Sequence, residues 1–141
     1  MKLRITFSIL AMSLVGLFIS LGTVRKVPAK AGCSNASLKG SYGLHATGTL
    51  GGDPIAAVGL FTFDGAGSLT ANLFFRTPAG TLHLLPAGTY SVSSECIVTD
   101  HWGGSDHTSV IVDDGRGYLI LNTSDGVISG EARKLFAGQG E

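Results

Sequence analysis

Helical sequence is what this chain has least of. After residue 32 no stretch carries apolar residues at the spacing of a helix, and glycine, 21 in 141 residues, recurs every few positions, which helices tolerate badly. With no helix to make a crossover, parallel strands cannot be joined, so any sheet must be antiparallel. Charge is scarce as well, at 14% of residues. Cysteine is limited to Cys33 and Cys96, with no Cys-x-x-Cys spacing to signal redox or zinc chemistry. There is no Gly-x-Ser-x-Gly nucleophile elbow and no dinucleotide fingerprint, since Gly65-Ala66-Gly67 is too short for one. No cofactor is therefore expected.

The N-terminus has a different character. Met1-Lys2-Leu3-Arg4 is followed by a run from Ile5 to Leu21 without a charged side chain, the layout of a secretory signal peptide. Ala29-Lys30-Ala31 supplies a small-x-small cleavage site, giving a leader over residues 1–31 and a single domain over 32–141. The apolar run approaches the ~18 residues of a membrane-spanning helix, so an uncleaved anchor is the rival reading. Ala31-Gly32-Cys33 also resembles a lipoprotein processing site. Lys30 stands where such sites carry an apolar residue, and acylation would leave Cys96 a lone exported thiol.

Cleavage changes the electrostatics, because five of the ten basic residues lie in the leader. The remainder has five Lys and Arg against ten Asp and Glu, a formal charge of −5. An acidic surface without a basic cluster argues against nucleic acid and anionic lipid as partners, and no membrane contact is expected after cleavage. The expected location is the periplasm or the exterior. There the two cysteines should pair, and closing a loop of that size stabilises by about 4 kcal/mol on the chain-entropy model.

Strand signals follow one another along the rest. Gly40, Tyr42, Leu44 and Ala46 alternate with Ser41, His45 and Thr47. Further runs cover 55–63, 69–75, 81–85 continuing after Pro86 into 88–92, 96–102, 108–112, 118–122 and 127–133. Turns rich in Gly and Asp separate them, among them Asp64-Gly65-Ala66-Gly67, Asp113-Asp114-Gly115-Arg116-Gly117 and Ser124-Asp125-Gly126. Short links join neighbours in space. The expected fold is all-β, a small antiparallel up-and-down barrel of about eight strands with one disulfide.

The opening from Cys33 to Gly43, the turn Phe63-Asp64-Gly65-Ala66-Gly67 and the strand Gly88-Thr89-Tyr90-Ser91-Val92 leading to Cys96 resemble a group of small exported bacterial proteins of unassigned role. The resemblance implies an eight-stranded barrel similar to the allene oxide cyclase and lipocalin-like barrels. It implies no activity. Lipocalins carry a Gly-x-Trp at the first strand, whereas this chain has Gly40-Ser41-Tyr42 and its one tryptophan is Trp102.

Function is read from what a barrel lumen would hold. Gly43, Ala46, Ala57, Gly59 and Ala71 are small residues where a filled barrel would want large ones, so either they leave room for an apolar or amphipathic small molecule or the glycines relieve strand curvature. Tyr42, His45, Phe61, Phe75, Arg76, His83, Tyr90 and Glu131 are the candidate ligand contacts. A cofactor-free cyclase or isomerase working in the same lumen, and a structural exported protein without a ligand, are the alternatives. In Asp100-His101-Trp102-Gly103-Gly104-Ser105-Asp106-His107, two Asp-His dipeptides face each other across a hairpin and offer metal ligands, or are simply strand ends around a Gly-Gly turn. No metal site is assigned on this basis. The runs 55–61 and 118–121 are apolar on both faces, so either these strands are covered on both sides, or the outer wall presents an apolar patch to a second subunit in a homo-oligomer, or they are a few exposed apolar residues of no special role.

Overall fold

The structure, a computed structural model, describes residues 32–135. The expected leader and its cleavage site lie outside them. Nine strand segments follow one another: β1 (Lys39–Leu50), β2 (Asp53–Asp64), β3 (Ser68–Thr77), β4 (Gly80–Leu84), β5 (Ala87–Val92), β6 (Ile97–Trp102), β7 (Ser105–Val112), β8 (Gly117–Asn122) and β9 (Gly126–Lys134). All pairings between them are antiparallel and each strand neighbours the next, save at β4 and β5.

Those two share one position in the wall. β3 pairs with β4 through Leu73–Thr77 and with β5 through Ser68–Thr70. Pro86 interrupts them because it has no N–H to donate, yet its carbonyl still accepts the Ala71 amide at 2.8 Å and carries the ladder past the break. Counting that broken strand once, eight strands form the wall, and β1 pairing with β9 closes it. Closure leaves one short edge among the described residues, since β4 pairs with β3 alone.

The barrel has a plugged end and an open end. At the plugged end a 3₁₀ turn (Asn35–Ser37) and the fully buried Leu38 cover the lumen. Asn35 fastens this plug, its Nδ2 donating to the Ala66 carbonyl at 3.1 Å and its Oδ1 accepting the Val92 amide at 2.8 Å. The Cys33–Cys96 disulfide ties the same segment to the β5–β6 turn, with the Cα atoms 4.9 Å apart. Such a bond persists in oxidising compartments. No helix among the described residues is long and apolar enough to cross a membrane.

Beneath the plug the lumen is solid. Phe63 sits at the centre of an aromatic cluster, with Tyr90 at 5.0 Å and Tyr42 and Tyr118 at 5.5 Å, all near-perpendicular. Edge-to-face pairs of this kind add about 0.5–1.5 kcal/mol each beyond the burial of the rings. The Tyr42 hydroxyl donates to the Gly115 carbonyl at 2.6 Å, and that of Tyr90 is within reach of the Leu38 and Asn35 carbonyls at 3.0 and 3.1 Å.

Candidate functional site

Toward the other end the inward side chains become small or stop short of one another, and a cavity of about 200 Å³ opens there. An engineered apolar cavity of about 150 Å³ is enough to take benzene, so the space admits a ring or a short chain. Its walls are apolar, with Leu44 and Ala46 from β1, Ile55 and Ala57 from β2, Phe75 from β3 and Ile120 from β8. Leu50, Leu82 and Leu84 form the rim and are each more than 40% exposed.

The small residues divide by function. Ala46 and Ala57 border the cavity. Gly59 also faces inward but makes no space: a Cβ there would collide with the Asn72 carbonyl and stand 2.8 Å from the Leu73 Cα. Its lack of a side chain lets β2 and β3 approach closely where the wall curves. Gly43 is on the outer face, covered by Leu135, and Ala71 is buried away from the cavity.

One side of the cavity is polar, and it comes from β6, β7 and β8. Cross-strand pairing sets Asp100 opposite His107, and His107 opposite Asn122. Trp102, His107 and Asn122 line the cavity, while Asp100 stands behind His107 and outside the lining. The indole of Trp102 lies flat on the imidazole of His107, with ring centres 4.2 Å apart and planes 5° from parallel. His107 Nδ1 is 3.2 Å from Asp100 Oδ1, both side chains over nine-tenths buried. The contact is within ion-pair distance but bent from hydrogen-bond alignment, and no other protein group satisfies either atom. Trp102 Nε1, Ser109 Oγ and the Tyr118 hydroxyl are likewise buried without a protein partner. Burial first, then the charge of Asp100 and the phenol of Tyr42, push the Tyr118 hydroxyl well above its ordinary pKa.

The Asn122 amide is fixed by the turn that follows it. Its Oδ1 accepts the backbone amides of Ser124 and Asp125, each at 3.1 Å, and its Nδ2 donates to Asp125 Oδ1 at 3.0 Å. The –NH₂ group therefore faces His107 Nε2, 3.4 Å away. An –NH₂ can only donate, so Nε2 must be the acceptor nitrogen and the ring proton sits on Nδ1, toward Asp100. Asp125 also accepts from Ser105 and Ser124, and these hydrogen bonds, that of Asn122 foremost, hold its carboxyl below the usual carboxylate range.

The candidate ligand contacts read from sequence fall into three groups. Phe75 lines the cavity. Tyr42, Phe61 and Tyr90 are buried in the aromatic end and do not line the cavity. His45, Arg76, His83 and Glu131 are on the outer wall, because they alternate with the inward residues of their strands. His83 stacks on Phe74 there and bonds Asn72 at 2.8 Å, and Glu131 lies 3.7 Å from Arg133.

The two Asp-His dipeptides do meet across the hairpin, but on opposite faces: His101 and Asp106 pair at 2.7 Å outside the wall, Asp100 and His107 inside. Alternation thus splits the four groups two and two, and among the described residues no three His, Cys, Asp or Glu side chains gather to hold a metal ion. Compared with protein-family models, curated proteins and solved structures, the chain matches none.

Proposed function

We propose that this is an exported protein of the periplasm or the cell exterior, of the kind whose barrels resemble lipocalin-like and allene oxide cyclase barrels, and that it binds an apolar or amphipathic small molecule at its open end. The observation that carries the reading is the 200 Å³ cavity with apolar walls on one side and His107, Asn122 and the Trp102 indole on the other. Ligand sites are concave, mostly apolar and carry few polar groups, as this one does. The exposed leucines of the rim extend the apolar surface outward, so a ligand longer than the cavity stays in contact as it leaves. The disulfide supports an oxidising compartment.

Trp102 gives the test, being the chain's one tryptophan and a wall of the cavity. Titration with N-phenylnaphthylamine, a neutral apolar fluorophore that accepts energy from indole, should quench Trp102 saturably as the probe's own emission rises. The cofactor-free isomerase reading is favoured by one observation, the buried Asp100–His107 pair.

A further inference from the structure

We propose that His107 and the turn after Asn122 form an acid-sensitive latch at the mouth of the cavity: a proton taken by His107 Nε2 parts the turn from the β6–β7 hairpin and releases the bound molecule. The release rests on the binding reading above; the latch itself does not.

The latch is a chain of hydrogen bonds between two loops. Asn122 Nδ2 donates to His107 Nε2 at 3.4 Å and to Asp125 Oδ1 at 3.0 Å, so both of its hydrogens are used, and its Oδ1 takes the amides of Ser124 and Asp125. The turn ordered in this way grips the start of β7. Ser105 Oγ donates to the Asp125 carboxylate, the Asp106 amide donates to Ser124 Oγ at 3.1 Å, and the Thr123 amide donates to the Asp106 carbonyl at 2.9 Å. Gly103, Ser105, Asn122 and Asp125 all line the cavity, so the loops that the latch joins are part of its wall.

Protonation turns an acceptor into a donor. Nε2–H and Asn122 Nδ2–H then point at each other across 3.4 Å, in a buried place where water does not separate them. Turning the amide over would offer Oδ1 to the imidazolium, but only by giving up the Ser124 and Asp125 amides and the bond to Asp125 Oδ1. Either way the turn loses what orders it. The open arrangement therefore binds the proton more tightly than the closed one, and acid shifts the balance toward it.

The groups around the ring direct this response to His107. Asp100, 3.2 Å from Nδ1, is the other buried charged side chain among the described residues, and it stabilises an imidazolium inside the barrel. Asp125 is held below the usual carboxylate range, so it stays ionised while a histidine titrates. Burial keeps Tyr118 neutral. β1, β2 and β3 bring no titratable side chain to the cavity, and the His101–Asp106 pair of the same hairpin lies on the outer face.

The test follows the wild type and two variants from pH 8 to pH 5 by ¹H–¹⁵N spectroscopy. Exchange protection of the Ser124 and Asp125 amides should fall at least tenfold with the midpoint of the His107 imidazole shifts. Affinity for N-phenylnaphthylamine, which stays neutral over this range, should fall at least tenfold with it. By linkage, bound probe should lower the His107 midpoint. His107→Gln, which takes no proton, should hold protection and affinity constant, whereas His101→Gln should respond as the wild type does. His107 titrating while both amides stay protected overturns the latch. So does protection that follows the His101 midpoint instead, or a His107 ring that never titrates in this range. These three readings come from the wild type and stand whether or not a variant folds. Constant probe affinity while the amides open overturns the release and leaves the binding site standing. Absence of probe binding at every pH removes the binding reading and the release with it, while the amides still report the latch.

Discussion

Ala57 and Gly59 are successive inward positions of β2, yet the first borders a cavity and the second is pressed against the carbonyl of Asn72. Substitution should separate them sharply. Ala57→Leu is expected to fold, at a cost of about 1–3 kcal/mol for the added volume, because its methylenes have space to enter. Gly59→Val forces β2 from β3 and is expected to leave no cooperative unfolding transition in circular dichroism. Equal stability of the two variants would mean that Gly59 does not serve the curvature.

The disulfide closes a loop of 63 residues and holds the plug against the β5–β6 turn. Replacing both cysteines by serine should cost about 4 kcal/mol in denaturant unfolding, from the loop entropy returned to the unfolded chain. A loss below about 1 kcal/mol would show that Asn35 and Leu38 hold the plug unaided.

Asp64 predicts an acid dependence. Its exposed carboxylate accepts the amides of Ala66, Ser68 and Gly67 at 2.7, 3.0 and 2.9 Å, and these hold its pKa down at about 2. A carboxyl depressed in the folded state stabilises fully above its unfolded value near 3.8 and loses that contribution as pH falls toward 2. Asp64→Asn should remove this part of the acid sensitivity, and carbon-detected titration should place the Asp64 midpoint near 2. A midpoint at the ordinary value would contradict the three hydrogen bonds.

On the outer wall Val58 and Phe74 face each other across β2 and β3, about half exposed, and Leu119 and Leu121 stand out from β8 to the same extent. Self-association through these strips is the expected outcome, seen by light scattering at micromolar concentration and weakened by Phe74→Ser. A monomer throughout would assign the strips no partner of their own kind.

The barrel was legible because its signals are local: alternation along β1, Gly-Asp turns, and the continuation of one strand past Pro86. The site was only half legible. Alternation already sets His45 with Ser41 and Thr47 on the polar face, so its outward position could have been read directly. Arg76 and Glu131 could not be placed in this way, since Phe74 and Leu119 put apolar residues on the outer face and blur the parity. The Asp100 to His107 hairpin was visible, but an aspartate on the same face as Val98 and Trp102 looks like a strand end until the lumen is seen to bury it. The role of Gly59 was illegible for another reason: it depends on how closely a second strand passes.

Occupation of the cavity is most directly measured by energy transfer from Trp102 to N-phenylnaphthylamine in the wild type and in Ala57→Leu. A ligand site at the open end predicts saturable, one-to-one quenching in the wild type, and a loss of affinity of at least tenfold in the variant, whose longer side chain fills the space. Equal quenching in both folded proteins, or none in either, would contradict it.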